Sequence, residues 1–422
     1  MSSMRHLPLA AGTITIAAAL VLAARPIAQQ PPPATAGASQ AGRAGGGRQG
    51  GRGGVQIQAG EECPPGTTET RPRNCQAPSF APPTIVDYRP KSTLVTPEHL
   101  VPKAKFPAID YHGHPRGLLD SAEGVASLIA SLDSLNVRTI VVAENLSGER
   151  LQRAVELMQR TPHKDRVQML AGIDLRGVGP GWADKAVRQL EADLKAGAVG
   201  VGEISKSFGM SVTKADGTRL KIDDPDLDPV WEACARLNAP VFMHTGDPQA
   251  LFEPIDFKNE RWLELALFDD RRYRDRVPPF EELMAERDRL FKKHPKTRFV
   301  AAHMGWHAND LGRLSRMLDA MPNLSIEVAA VLYDIGRQPR AAREFFIKYQ
   351  DRVLFGKDSF QPEEYPYYWR VFETADEYFD YYRGYHAFWK LYGINLPDEV
   401  LKKLYYRNAL KLAPRMPQAG WP

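Results

Sequence analysis

The sequence predicts an α/β fold, a (βα)8 TIM barrel with two additional segments. From residue 104 onward, short apolar runs rich in Val, Ile and Ala alternate with longer stretches of helical periodicity. Runs that are apolar throughout are typical of parallel strands buried on both faces. Eight such runs within about 250 residues match the size and the alternation of this barrel.

The residues at the end of the first predicted strand distinguish this fold from an open nucleotide-binding sheet. The strands are AIDYHGH (108–114), RTIVVAEN (138–145), VQMLAGID (167–174), AVGVGEIS (198–205), APVFMHTG (239–246), RFVAAHMG (298–305), NLSIEVAA (323–330) and RVLFGKDS (352–359). The alternative, an open doubly wound sheet, would place a glycine-rich turn after its first strand. Here that position holds His112, Gly113 and His114, which do not suit a phosphate cradle.

Helical patterns fill the gaps between these strands. The clearest of them cover residues 121–135, 183–197, 228–239, 280–294 and 396–413. Ser121 is a candidate N-cap, and Gly197 is a good stop for the second helix. The predicted helices therefore lie between the predicted strands, as repeated βα units require.

Two segments exceed a minimal barrel. Residues 247–279 form a long insertion after the fifth strand, and the aromatic-rich residues 360–392 follow the eighth. Both begin at the face where the βα loops of a barrel carry the active site. They would form a lid or a pocket wall, or alternatively pad the surface or form a dimer interface.

The chain before the barrel divides into three parts. Residues 1–28 resemble a signal peptide, with Arg5 before an apolar run and small residues after it, although an uncleaved membrane anchor is the alternative. Residues 29–54 are a Gly-, Arg- and Pro-rich stretch that we expect to be a disordered linker. Residues 55–103 are an N-terminal extension before the barrel at 104–414. We therefore expect a periplasmic or secreted protein that meets the membrane only through its signal segment.

The charge of the chain gives no support to a nucleic-acid-binding function, and its cysteines suggest a disulfide or a zinc half-site. The whole chain carries a formal charge of +4, and removing the five arginines of residues 1–54, which contain no acid, leaves −1 for the remainder. A nearly neutral globular part gives no indication of nucleic-acid binding. Cys63 and Cys75 flank a turn-rich stretch and would form a disulfide in an oxidising compartment, or a zinc half-site. Cys234 is predicted to be a buried thiol.

Five of the predicted strands end in residues that can bind a metal ion. These residues are His112, His114, Glu203, His244, His303 and Asp358. Residues two apart on a strand point the same way, so both histidines of the first strand would face one point. Three imidazoles and a carboxylate suit Zn²⁺, with Mn²⁺ as the alternative, and leave a position for water. His303, a histidine at this edge that does not bind the metal, would act as a general base or donate a hydrogen bond to the substrate.

The chain resembles the amidohydrolase superfamily, in the amidohydrolase-related branch that includes aminocarboxymuconate semialdehyde decarboxylase and resorcylate decarboxylases. The resemblance covers roughly residues 106–412 and rests on DYHGH, MHTG, AAHMG, FGKD and YRNALKL. It implies that the metal ligands are His112, His114, His244 and Asp358, and that His303 is catalytic. The branch contains hydrolases, lactonases, decarboxylases and hydratases, so the resemblance does not specify a reaction.

The sequence departs from the family pattern at two strands. The eighth strand reads FGKD where FGSD is common, and alternation would turn Lys357 away from the ligand Asp358. The fourth strand carries Glu203 where other branches have a carboxylated lysine. Glu203 would be a ligand, bridge a second metal or hydrogen-bond a ligand histidine.

The predicted function is a metal-dependent hydrolase acting on an ester, lactone or amide, with His303 or Asp358 moving the proton. The alternative is a non-oxidative decarboxylase of an aromatic or unsaturated acid, and the third is a non-catalytic binding protein. We expect a small-molecule substrate, with a carboxylated compound as one alternative, and we name a homodimer as one alternative for the oligomeric state. The predicted substrate-binding residues are Arg116, Lys206, Trp306 and His307.

Overall fold

The computed structural model describes residues 54–273, 277–386 and 388–422. The predicted signal peptide and all but the last residue of the predicted linker lie outside the described residues. The chain divides into two compact units, residues 1–82 and 83–422. In the described part of the chain, no helix is both long enough and apolar enough to cross a membrane.

The described part of the first unit is a small antiparallel sheet. Its strands are β1 (Val55–Gln56), β2 (Thr68–Arg71) and β3 (Asn74–Gln76), in the order β1-β3-β2. Cys63 and Cys75 are joined by a disulfide bond, and Cys75 is fully buried in β3. The disulfide alternative for this cysteine pair is therefore the one that the structure contains.

The second unit is built on one parallel sheet of nine strand segments. They are β4 (Ala108–His114), β5 (Val137–Leu146), β6 (Val167–Ala171), β7 (Gly200–Ile204), β8 (Val241–Met243), β9 (Phe299–Ala301), β10 (Leu324–Glu327), β11 (Val353–Leu354) and β12 (Asp358–Ser359). Their order is β11-β10-β9-β8-β7-β6-β5-β4-β12. Each of the eight predicted strands is present, most of them shorter than predicted.

The residues of the predicted eighth strand connect the two edges of this sheet. β11 pairs with β10, while β12 pairs with β4, so that Asp358 lies opposite Gly113. Between these pairings the Tyr111 N–H donates to the Phe355 carbonyl at 3.0 Å. Because β11 and β12 are two halves of the predicted eighth strand, the sheet curls until its first and last strands are neighbours. The fold is α/β, with the curled parallel sheet that the sequence predicts.

Helices cover the outside of the curled sheet. Those of ordinary length are α1 (Ala122–Ser134), α2 (Glu149–Gln159), α3 (Trp182–Ala196), α4 (Asp228–Arg236), α6 (Phe280–Lys293), α7 (Leu311–Ala320), α9 (Pro339–Lys348) and α10 (Tyr365–Glu373). Short ones are α5 (Trp262–Leu267), α8 (Leu332–Gly336), α11 (Asp398–Lys402) and α12 (Asn408–Leu412). Ser121 caps α1 by accepting from the Gly124 N–H at 3.0 Å, as predicted. The predicted last helix is interrupted by a π-helical turn, Lys403–Arg407.

The two additional segments pack on each other through α8. From the insertion, the Arg261 guanidinium lies 4.2 Å from the centre of the Tyr333 ring. From the aromatic segment, the Trp389 indole N–H donates to the Tyr333 carbonyl at 3.0 Å, and His386 lies 3.3 Å from Glu264. These contacts bury charged and aromatic groups within one chain. The two segments therefore pack together on α8, and whether they form a pocket wall or an outer surface stays a prediction.

Candidate metal centre

The strand-end residues form one cluster, with His112 at its buried side. His112 lies in β4 and is fully buried. Its Nδ1 is 3.1 Å from an oxygen of Glu327, and its Nε2 is 3.4 Å from Oε1 of Glu203. Because Nδ1 is engaged with Glu327, Nε2 is the ring nitrogen of His112 that faces the centre of the cluster.

His114 faces the same point from the end of β4. Its Nε2 lies 3.3 Å from Oε2 of Glu203 and 3.7 Å from Oδ1 of Asp358. The rings of His112 and His114 have centroids 5.1 Å apart. The strand alternation that the sequence predicts therefore places both imidazoles on one carboxylate.

Glu203, at the end of β7, is the middle of the cluster. Besides the two contacts from β4, its Oε1 accepts from Nδ1 of His244 at 2.6 Å. Burial alone would raise the pKa of Glu203, but the fields of His112 and His244 lower it well below its usual range. Glu203 is therefore an ionised carboxylate surrounded by imidazoles, which is the charge that a cation site requires.

His303 enters from the strand end of β9 with a constrained ring. Its Nδ1 donates to the Ala329 carbonyl at 2.8 Å, and its backbone N–H donates to Glu327 at 3.1 Å. Burial and the neighbouring His244 lower the pKa of His303 to about 4. The ring is therefore neutral at pH 7, with its proton on Nδ1 and a basic lone pair on Nε2.

His303 begins a turn in the left-handed region of backbone space. The φ angles of His303, Met304, Gly305 and Trp306 are 56°, 52°, 60° and 58°. A non-glycine residue there costs roughly 1–2 kcal/mol, so this conformation requires support from its surroundings. The turn stacks the Trp306 ring on His303 with centroids 4.4 Å apart, while the indole N–H donates to the Gly246 carbonyl at 3.0 Å.

Asp358 completes the cluster from β12. It has a φ of 76°, and its side chain is one-third exposed, which makes it the most open of the ligand candidates. Burial alone would raise the pKa of Asp358, but the fields of His112, His303 and His114 lower it. It is therefore ionised at neutral pH.

The residues present fit a divalent metal ion. The ring nitrogens and carboxylate oxygens form two overlapping sets, each with its atoms within 4.8 Å of one another: His112, Glu203 and His303, and His112, His114 and Asp358. Nε2 of His112, His244 and His303 are buried without a hydrogen-bond partner. Buried polar atoms are normally paired, so three nitrogens without protein partners beside ionised carboxylates fit a divalent cation.

Two acidic residues that the sequence analysis missed support the cluster. Glu327 is fully buried at the end of β10 and contacts both His112 and His303. Asp110 accepts from Tyr365 at 2.6 Å and from the N–H groups of His112 and Lys357 at 3.1 and 3.0 Å. The signal for each was an acid inside an apolar strand, which is costly unless it is hydrogen-bonded.

The structure does not bring all of the predicted substrate-binding residues to the cluster. Trp306 packs on it, as described. Lys206 lies at its edge, 2.7 Å from Asp247, whose other oxygen is 3.7 Å from Nε2 of His244. The exposed Arg116 reaches Glu144 only through its backbone N–H, at 2.9 Å.

His307 lies behind the cluster, against α6. Its Nε2 accepts from Arg287 at 3.3 Å, and its ring packs edge-on against Phe280. Burial and the field of Arg287 lower the pKa of His307 to about 2. Both of these ring contacts are made within the protein, and the substrate-binding role of His307 stays a prediction. Lys357, as alternation predicted, is turned away from the centre and pairs with Glu364.

Comparison with known proteins assigns the chain to a family. A family model described as amidohydrolase matches residues 109–415. Solved structures with similar folds include an uncharacterized TIM-barrel protein from Bordetella bronchiseptica, at 16% identity and a TM-score of 0.45, covering 73% of this chain and 99% of that one. No curated protein matches the chain.

Two further structures have related folds. A dihydroxybenzoic acid decarboxylase from Polaromonas sp. JS666 with bound manganese shares 15% identity at a TM-score of 0.46, covering 73% of this chain and 97% of that one. A 4-oxalomesaconate hydratase from Rhodopseudomonas palustris shares 15% identity at a TM-score of 0.45, covering 73% and 96%. Similarities this distant do not specify a reaction. The family match spans most of the chain, and the chain belongs to the amidohydrolase-2 family of metal-dependent enzymes.

Proposed function

We propose that this protein is a metal-dependent hydrolase of small ester, lactone or amide substrates. The observation that supports the proposal is the set of unpaired buried nitrogens of His112, His244 and His303 beside the Glu203 carboxylate. We propose that His112, His114, His244 and Asp358 hold the ion, with Glu203 as a further ligand. A divalent ion bound there would supply water of lowered pKa and polarise a carbonyl oxygen.

His303 and Asp358 are the candidate proton carriers. The Nδ1–H of His303 is engaged with the Ala329 carbonyl, so its Nε2 is free to accept a proton or a hydrogen bond. Asp358 has the most exposed carboxylate of the cluster and lies where water reaches it. A neutral imidazole and an ionised carboxylate in one cluster suit removal of a proton and its return to a leaving group.

We propose that Trp306 forms an apolar wall of the substrate site, because its ring covers His303. Lys206 stands at the edge of the cluster and is half-exposed, although Asp247 already neutralises it. Arg116 is exposed, and it contacts Glu144 through its backbone N–H, not through its guanidinium. We propose that the guanidinium pairs with a carboxylate at an end of the substrate that extends away from the cluster.

The test is metal content and hydrolysis measured together. The purified protein should contain about one divalent ion per chain, and the double variant His112→Ala, His114→Ala should lose it. Arg289→Ala, an exposed arginine of α6, is the matched control and should retain the ion. A panel of nitrophenyl esters and lactones should show turnover that disappears with the ion. Turnover that persists in the double variant would refute the proposal.

A decarboxylase is the second candidate, and the unpaired guanidinium of Arg116 favours it. Decarboxylation consumes a carboxylate-bearing substrate and releases carbon dioxide, whereas hydrolysis releases acid. Incubation with a panel of hydroxybenzoic acids in a sealed vessel would distinguish the two reactions. Carbon dioxide release without ester turnover would replace the first proposal with the second.

Three further predictions accompany the function as proposals. Zinc as the resident ion, with manganese as the alternative, is tested by elemental analysis of protein grown without metal supplements. Export to the periplasm or medium is tested by cell fractionation and N-terminal sequencing of the mature chain. A homodimer is tested by sedimentation velocity.

A further inference from the structure

A buried arginine on α6 contacts the turn that carries His303. Arg287 is fully buried, and its Nη1 donates to the Gly305 carbonyl at 2.8 Å. Its Nη2 donates to Nε2 of His307 at 3.3 Å, and both Nε and Nη2 contact the neighbouring Asp288, at 3.1 and 2.9 Å. The guanidinium is thus satisfied within the protein and is not available to a substrate.

The turn that Arg287 contacts is the left-handed one. Gly305 is its central residue, and a Cβ added there would lie 3.0 Å from Nη1 of Arg287. A run of left-handed residues is unfavourable for an L-amino-acid chain, so the turn persists only where its neighbours hold it. Arg287 supplies such a contact at the middle of the turn, and Trp306 supplies another at its end through the Gly246 carbonyl.

The conformation of this turn determines how His303 faces the cluster. With φ at 56°, the backbone N–H of His303 meets Glu327 and its Nδ1 meets the Ala329 carbonyl. Those two contacts orient the ring so that Nε2 has no protein partner and a ring nitrogen lies among the ligand atoms of His112 and Glu203. If the turn relaxed, the Nδ1 contact would be lost and the ring would be free to take either tautomer.

We propose that Arg287 is a positioning residue for the metal centre. By holding the Gly305 carbonyl, it keeps the turn 303–306 left-handed and so keeps His303 with its proton on Nδ1 and its Nε2 directed at the cluster. It acts through the turn and touches neither the ion nor the substrate. The proposal rests on the proposed function only in giving His303 a proton-transfer role, because the orientation itself is a property of the fold.

The test reads the tautomer of His303 directly. Protein labelled with ¹⁵N in its histidine rings, and loaded with zinc, is compared by long-range ¹H–¹⁵N correlation with Arg287→Met, Arg287→Lys and the control Arg289→Met on the exposed side of α6. His303→Gln identifies the His303 signals. In the parent and in Arg289→Met, His303 should be a single Nδ1–H tautomer. Arg287→Met should show both tautomers or a shifted signal, and Arg287→Lys, which can still donate to Gly305, should restore most of the parent pattern.

A second variant covers the case in which Arg287→Met does not fold. Gly305→Ala keeps the buried guanidinium but pushes a Cβ against its Nη1 in a backbone region that alanine disfavours. It should show the same loss of the single tautomer. A parent-like His303 signal in a folded Arg287→Met or Gly305→Ala protein would overturn the proposal.

Activity separates this proposal from the proposed function. On whichever nitrophenyl ester or lactone the parent hydrolyses, Arg287→Met should lower kcat by about 10- to 100-fold with little change in KM, and zinc content should stay at the parent value. If the parent hydrolyses nothing, the proposed function fails, while the tautomer comparison still decides the role of Arg287. A rise in KM at unchanged kcat would assign Arg287 to the substrate site and would also overturn the proposal.

Discussion

His303 and His307 lie four residues apart at the same strand end, yet the structure gives them opposite surroundings. Both rings are buried, with 1% and 2% of each residue exposed, and the pKa of each is lowered. Nε2 of His307 accepts from Arg287, whereas Nε2 of His303 has no partner and faces two other imidazoles. Burial and a shifted pKa therefore do not mark a functional histidine; an unsatisfied atom next to ligand-type groups does.

The largest expected difference follows from this contrast. His303→Asn should lower kcat on the best ester or lactone substrate by about 10²- to 10⁴-fold, because a positioned proton carrier is lost. His307→Asn should lower kcat less than about tenfold but destabilise the fold by roughly 1–3 kcal/mol, because Arg287 loses an acceptor. Steady-state kinetics and urea unfolding of both variants check this. Equal kinetic defects would erase the distinction drawn between the two histidines.

The next effect concerns the residue that orients a ligand. Glu327 accepts from Nδ1 of His112 and so directs Nε2 toward the centre of the cluster, where we propose that the ion binds. Glu327→Gln should weaken zinc binding by about 10- to 100-fold, as is typical when the hydrogen-bond partner of a ligand is changed. Competition with a chromogenic chelator measures the affinity. Glu144→Gln, whose carboxylate is 3.9 Å from Nδ1 of His114, is the comparison and should change the affinity less.

The smallest effect is expected at a histidine far from the cluster. Nε2 of His294 lies 2.9 Å from Asp228, and His294 follows the carboxyl end of α6. Asp228→Asn should lower the free energy of unfolding by about 1 kcal/mol and leave zinc content and turnover at parent values. Urea denaturation with metal analysis of the same sample checks this. A loss of metal there would show that paired histidines also serve the site.

Much of this architecture was predictable from the chain because its signals are local. Apolar runs, Ser121 as a cap and the spacing of His112 and His114 all depend on residues a few positions apart, and helix and strand periodicity act over that range. Five of the predicted strands, those that correspond to β6 through β10, run past the carboxyl ends of the observed ones, as at β9, which ends at Ala301. From His303 the backbone enters the left-handed region, and the sequence AAHMG contains no local pattern that predicts such a turn.

The unpredicted parts depend on contacts between distant segments. Arg287 precedes Gly305 by 18 residues, and Glu327 follows His112 by 215. No periodicity links such positions, so the sequence analysis missed Glu327 and predicted His307 as a substrate-binding residue without its contact to Arg287. The aromatic segment gave two interpretations for the same reason, since its packing on Arg261 and Tyr333 is tertiary.

By itself the sequence determined the curled α/β fold and which side chains stand at the strand ends, because alternation along a strand and parallel packing leave few other arrangements. Only the tertiary structure decided which ring nitrogen of His112 and of His303 faces the cluster, since that depends on the acceptor that the other nitrogen meets: Glu327 for His112 and the Ala329 carbonyl for His303. The tautomer of each ring depends on these acceptors, and both come from β10 and the residues directly after it.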